Sequence, residues 1–178
     1  MLLNVDEFKN EIGSLTTSNR YRISFVKATQ YFSGTLKQNY FMYAKSVQLP
    51  NQSIKSAIFN FWGVNRISAG GMDYDNLPVS FIADGKMQLH LGFEKWMGDI
   101  YDKDGSYLKY YDDYTDFMYI DIYDQANQII KRVEVSEVWP KDLGSVDLAY
   151  ENENQVLMFN VNFQFFKWKT IQIGGNHE

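Results

Sequence analysis

Apolar and polar positions alternate with a period of two in two stretches of the chain, the pattern of strands that bury one face. The plainest case lies near the C-terminus, where Leu157, Phe159, Val161, Phe163 and Phe165 alternate with Met158, Asn160, Asn162 and Gln164. Burying three phenylalanines, a leucine and a valine at about 1.5 to 3 kcal/mol each predicts a strand central to the core. Residues 20–26 alternate in the same way, with Tyr21, Ile23 and Phe25 facing in and Arg20, Arg22 and Ser24 facing out. Residues 39–47 are a further β candidate, ended by Leu49-Pro50 because proline lacks a ladder donor and constrains its predecessor. Residues 117–123 and 129–138 predict an antiparallel pair across Asp124-Gln125-Ala126-Asn127, with Ile129, Val133 and Val135 inward.

Two segments depart from simple alternation. Residues 54–61 and 64–68 are β-prone runs separated near Gly63 and followed by Gly70-Gly71, which predicts an exposed hairpin-like excursion bracketed by Pro50 and the two glycines. Its candidate contact residues are Pro50, Ile54, Phe61, Trp62, Gly63, Gly70 and Gly71. Residues 77–83 form the next strand, with Pro78 placing one end at an edge or bulge. After Asp84 the period changes: Leu89, Phe93, Trp96, Met97 and Ile100 recur at the spacing of one helical face. Gly92 and Gly98 each weaken that helix by roughly 1 kcal/mol relative to alanine, so packing must order it. Residues 99–116, with six aspartates and Tyr107, Tyr110 and Tyr111 among them, read as a long loop, and the Gly174-Gly175-Asn176-His177-Glu178 end as frayed.

These elements predict a mainly β, α+β chain: an antiparallel sandwich or barrel-like domain with one packed helix. It spans residues 1–178 as one unit, with its core at about 19–168 and flexible ends. The predicted core joins Tyr21, Ile23, Phe25, Phe93, Trp96, Val133, Val135, Trp139, Leu157, Phe159, Val161, Phe163 and Phe165. The 13 Tyr, 13 Phe and 4 Trp residues strengthen the strand reading, since aromatic side chains favour sheets.

Charge and chemistry narrow the function. A net charge of −5, with no cluster of Lys and Arg, argues against tight phosphate binding. Without cysteine the chain has no disulfide, thiolate metal site or thiol nucleophile, which fits assembly in a reducing cytoplasm. Neither a signal-like start nor a long apolar segment is present in the sequence, so a soluble, unexported product with no membrane partner is expected. Histidine occurs only at 90 and 177, far apart and without ligand spacing, and no hydrolase or phosphate-loop motif appears. The run Asp99-Ile100-Tyr101-Asp102-Lys103-Asp104-Gly105 fails as a calcium loop: with Gly105 sixth, Ile100 would stand first and Tyr111 twelfth, where carboxylates are needed. Asp112 and Asp113, as strand neighbours, would point to opposite faces, which defeats a glycosidase pair. No catalytic, metal or cofactor site is expected, and the reading is a structural protein, not an enzyme. A carbohydrate-binding sandwich that uses the exposed aromatics, and a small hydrolase built on the aspartate loop, are the alternatives from other classes.

Val133-Glu134-Val135, Val138-Trp139-Pro140-Lys141-Asp142-Leu143-Gly144, Leu148-Ala149-Tyr150-Glu151-Asn152-Glu153-Asn154 and the strand 156–166 together resemble the C-terminal half of contractile-tail bacteriophage tube proteins. In that family a strand runs into an aromatic-proline turn, an acidic and asparagine-rich segment follows, and a long alternating strand closes the domain. Asn19-Arg20-Tyr21-Arg22-Ile23-Ser24-Phe25 is similar to the family's opening strand, and Tyr43-Ala44-Lys45-Ser46-Val47-Gln48-Leu49-Pro50 to its next strand and turn. The likeness covers most of 19–166; the loop at 99–116 and the extension after Trp168 depart from it. It implies hexameric rings with a continuous inner β-barrel, stacked into a virion tail tube assembled in the host bacterial cytoplasm. It also implies contacts with sheath, tube initiator, tail terminator and tape measure proteins, and the passage of DNA without tight binding; the absence of a basic cluster then predicts a net-negative lumen that repels phosphate. Baseplate tube initiators and the tubes of injection and type VI secretion systems share the fold.

Overall fold

The computed structural model describes residues 19–102, 107–146, 148 and 156–171. The expectations for Gly174-Gly175-Asn176-His177-Glu178, the N-terminal stretch, most of 148–154 and the middle of the calcium-like run lie outside these residues. Strands follow the alternation: β1 (Tyr21–Phe25), β2 (Ala44–Val47), β3 (Ser53–Phe61), β4 (Val64–Asp73), β5 (Leu77–Ile82), β6 (Tyr101–Asp102), β7 (Tyr107–Leu108), β8 (Asp116–Tyr123), β9 (Ile129–Leu143), β10 (Met158–Gln164) and β11 (Lys167–Ile171). Helices are α1 (Leu36–Asn39), α2 (Gln88–Ile100) and α3 (Tyr111–Tyr114), with 3-10 turns at Ala28–Tyr31 and Tyr40–Tyr43. The architecture is mainly antiparallel β with few helices, as the sequence predicts.

Two four-stranded layers share one long strand. β1, β8, the first part of β9 and β11 form one layer; the last part of β9, β10, β5 and β2 form the other. β9 passes between them through a bulge at Glu137, whose φ of 57° is left-handed. There the pairing slips from Met118↔Val135 to Asp116↔Val138, so two residues of β9 face one of β8. The slip reverses which parity points inward: Val133 and Val135 are buried before it, Val138 and Pro140 after it. The expected aromatic-proline turn is therefore a strand. Pro140 pairs opposite Phe163 on the outer strand of its layer, where a missing N–H is tolerated.

Between the layers, Ile23, Phe25, Met118 and Ile120 meet Leu77, Val79, Phe81, Phe159, Val161 and Phe163. Helix α2 closes this core with Leu89, Phe93 and Trp96; the Phe93 ring lies 5.1 Å from Phe81 and 6.0 Å from Phe163. Asp84 starts the helix by accepting the Leu89 N–H at 3.0 Å. Partial burial alone would raise its carboxyl, but the N–H groups of Leu89, Gln88 and Lys86 bring it below the usual range. Gly92 has a packing reason: a Cβ there would lie 2.5 Å from Phe32 Cδ1, in a ring that is itself buried.

Several expectations change. The 39–47 candidate is strand only from Ala44, because Tyr40 turns inward and its hydroxyl accepts the Phe25 N–H at 2.6 Å. The loop at 99–116 contains the β6–β7 ladder and α3, and Asp99 ties it down through Lys109 and through the Tyr31 hydroxyl at 2.7 Å. The chain does not end its sheets at β10, since β11 returns along β9. Of the predicted core residues, Tyr21, Trp139 and Leu157 are half-buried: Tyr21 donates to Ala44 O at 3.1 Å, and Trp139 meets Tyr114 edge-on at 6.2 Å. The remaining ten are buried.

Candidate functional site

Strands β3 and β4 pair only with each other among the described residues, apart from both layers of the sandwich. Their turn is two residues long, Trp62-Gly63, between the pair Phe61↔Val64. Both turn residues have positive φ, 53° and 76°, the requirement of the type I′ turn that suits the twist of a tight hairpin. Gly63 meets it without strain, whereas a bulky Trp in the left-handed region is an outlier. The Asn60 side-chain oxygen accepts the Gly63 N–H at 3.2 Å and steadies the turn. Trp62 stands at the tip with 90 % of its surface exposed.

At the base, Pro50 is buried, so it belongs to the body and not to the excursion in which the sequence places it. Asn51 and Asp75 bond across the two chain crossings at 2.9 Å, and Lys55 pairs with Asp73 at 2.9 Å. β4 continues through Gly70-Gly71 to Asp73 instead of stopping at Ser68, and the glycines form a bulge where pairing slips from Ser56↔Ala69 to Ile54↔Met72. Gly70 is required there, because a Cβ would come within 2.9 Å of Lys55 O.

The register sorts the hairpin into two faces. Ile58 pairs with Ile67 and Ile54 with Met72 on one; Phe61 pairs with Val64 and Phe59 with Arg66 on the other. All eight side chains are exposed. Of the predicted contact residues, Ile54, Phe61, Trp62, Gly63, Gly70 and Gly71 thus share this hairpin. Ile58, Phe59, Val64, Ile67 and Met72 were not singled out from the sequence, although the alternation of 54–61 already divides Ile58 from Phe59.

The second feature is open edge. Among the described residues β1, β2 and β11 each pair on one side only, leaving rows of backbone donors and acceptors free for another strand. The outward faces of the layers differ in charge. On the first, Arg22, Arg132, Lys167 and Lys169 outnumber Asp121 and Glu134, with Arg132 Nη2 bonded to Asp121 at 2.8 Å and Lys169 paired with Glu134 at 2.9 Å. The second presents amides and hydroxyls: Ser80 donates to Asn160 at 2.6 Å and Asn162 to Asp142 at 3.1 Å, with Lys45 and Lys141 at its margins.

His90 packs edge-on against Phe159 at 5.1 Å and lies 3.4 Å from Glu94, a placement that serves packing. Asp116 is buried and takes the N–H groups of Lys27, Ala28 and Phe117 at 2.7–2.9 Å, which fixes the start of β8. The described helices include none long and apolar enough to cross a membrane.

Comparison with known proteins agrees with this construction. A subunit in the baseplate of the anti-feeding prophage shares the fold at TM-score 0.65 and 12 % identity, covering 90 % of this chain and 97 % of that one. A chain of the sheath/tube terminator of an extracellular contractile injection system aligns at TM-score 0.64 and 13 % identity over 90 % and 99 %. A chain of the sheath–tube complex of such a system aligns at 0.61 and 12 % over 93 % and 98 %. No curated protein matches by sequence. The profile of the phage tail tube protein family matches residues 16–171, and the chain belongs to that family of structural tail proteins.

Proposed function

We propose that the chain is the inner tube subunit of a contractile tail, closing into hexameric rings that stack within a sheath and conduct DNA. The observation that carries this reading is the β3–β4 hairpin, whose apolar side chains lie uncovered on both faces in the free subunit. A lone two-stranded hairpin is marginally stable in water, so one this long and apolar is built to be covered. The open edges of β1, β2 and β11 supply the second requirement, because closure into a ring pairs edges that would otherwise invite uncontrolled aggregation. Sheath, tube initiator, tail terminator and tape measure proteins are the partners this role requires, and the whole chain acts as a single tube domain in a particle assembled in the bacterial cytoplasm. A baseplate tube initiator, or the tube of an injection system, uses the same surfaces; the likeness to baseplate and injection-system chains favours keeping that second reading.

We propose a near-neutral lumen in place of the expected acidic one. Of the two outward faces, that of β10 and β5 carries amides and hydroxyls, and we propose that it forms the wall, since unpaired cations on the other face would add counterion-release affinity for phosphate. Assembled tubes should show no measurable DNA binding at low salt. Binding that weakens steeply with added salt would place the basic face inward. Electron microscopy of a chain lacking residues 56–69 tests the stacking role: single rings without long tubes are expected, and normal tubes would refute it.

A further inference from the structure

We infer that the cavity beside the β9 bulge receives an arginine side chain of a different protein. It encloses about 300 Å³ and is lined by Phe117, Glu134, Ser136, Glu137, Lys167 and Lys169. The pairs Lys167↔Ser136 and Lys169↔Glu134 put it on the outward face of the first layer. Such a volume is at the small end of ligand sites and suits one long side chain. Two groups within it have no task in the fold. Ser136 is only 5 % exposed, yet its hydroxyl has no hydrogen-bond partner among the described residues, and a buried polar group in that state calls for one. Glu137 makes no ion pair among the described residues, and glycine or asparagine would adopt its φ of 57° more easily. That backbone conformation is kept for the place it gives the carboxylate.

Charge and shape name the occupant. Lys169 already pairs with Glu134 at 2.9 Å, and the Lys167 ammonium lies over the Phe166 ring at 5.7 Å. Glu137 is then the unpaired charge of the cavity, and the Tyr111 hydroxyl that bonds to it starts α3, which adds the exposed Asp112 and Asp113. Burial, and then the bond to Glu137, pushes that hydroxyl up to about 12, so near neutral pH it stays a donor. The site attracts a cation. A guanidinium donates several N–H groups at once, here to the Glu137 carboxylate and the Ser136 oxygen, while its plane stacks on the exposed Phe117 ring. An ammonium has no plane to stack. The arginines of this chain are engaged elsewhere: Arg20 bonds to Asp124 O, Arg132 to Asp121, and Arg22 and Arg66 lie over Phe41 and Phe61. The partner is therefore a different protein, on the side of the subunit away from the lumen wall proposed above. That placement alone rests on the tube reading.

Amide NMR of the full chain, with magic-angle spinning where it is assembled, tests this by titration with N-acetyl-arginine amide, whose blocked ends leave only the side chain charged. We expect saturable shifts at Phe117, Ser136 and Glu137 in the millimolar range. Glu137→Gln removes a charge-assisted bond yet still accepts from Tyr111, and should weaken binding at least about tenfold. Should that variant fail to fold, Phe117→Leu removes the ring face and should weaken binding about threefold. Shifts that never saturate, equal binding of N-acetyl-glutamate amide, or an affinity unchanged in the folded variants would overturn the inference. Binding of the arginine probe by a chain that forms no sedimenting assemblies would uphold the cavity and refute the tube reading.

Discussion

β10 and the β3–β4 hairpin have similar apolar content and opposite fates. In β10 the apolar residues other than Met158 share one parity, so Phe159, Val161 and Phe163 vanish into the sandwich while Asn160, Asn162 and Gln164 face out. In the hairpin they occupy both parities, and all but Ala57 remain exposed. A single chain can cover one face of a strand with its own layers and helix. Strands apolar on both sides need covering from two directions, which the chain's own layers do not give this hairpin.

The largest effect should separate the two regions outright. Phe163→Ala removes a fully buried ring that touches Phe25, Phe93 and Trp96, and should cost about 3 to 5 kcal/mol in subunit stability. Phe61→Ala should cost the free subunit less than about 1 kcal/mol, as surface changes do, yet raise the concentration needed for tube growth at least about tenfold. Thermal unfolding of subunits and sedimentation of assemblies read the two quantities. Equal losses of stability would show that the hairpin is part of the core.

Gly92→Ala sharpens the core side. Helix propensity alone favours alanine by about 1 kcal/mol, but the new methyl would drive into Phe32, and overpacking of this kind costs roughly 1 to 3 kcal/mol. We expect a lower melting temperature; a higher one would mean that Phe32 moves freely.

Trp62→Asn sharpens the hairpin side, where stability and assembly should move in opposite directions. Asn-Gly is the favoured I′ turn, so the free subunit should gain up to about 1 kcal/mol while tubes grow less readily. Amide exchange at the turn and turbidity of assembling protein report the two changes.

The smallest expected effect concerns Asp99. The hydrogen bond from Lys109, with that from Tyr31, holds its carboxyl below the usual carboxylate range. A depressed carboxylate contributes stability above its unfolded pKa and loses it as pH falls through the folded one. Asp99→Asn should therefore lower the melting temperature slightly at pH 7 and make no difference well below about pH 4, near the ordinary Asp value. An unchanged gap in acid would point to a steric cause.

Much of the fold was legible because period two is unambiguous when one face is buried: β1, β5, β8 and β10 stand where Ile23, Val79, Ile120 and Val161 place them. What escaped depends on distant contacts. The bulge at Glu137 leaves no local sign, yet it reverses the inward parity of β9 and turns an expected aromatic-proline turn into strand. Tyr40 reads as a strand residue until the Phe25 amide gives its hydroxyl a partner. Gly92 reads as a helix weakness until Phe32 arrives beside it. The hairpin was legible as an excursion from Gly63 and Gly70-Gly71, but its two-sided character emerged only once pairing fixed which residues share a face.

The most direct test is electron microscopy of the purified full chain, alone and concentrated, beside the chain lacking residues 56–69. We expect the full chain to form hexameric rings stacked into tubes with a continuous central channel, and the shortened chain to stop at unstacked rings. A full chain that remains monomeric at every concentration, or a shortened chain that builds tubes of normal length, would contradict the assignment of the hairpin as the contact between rings.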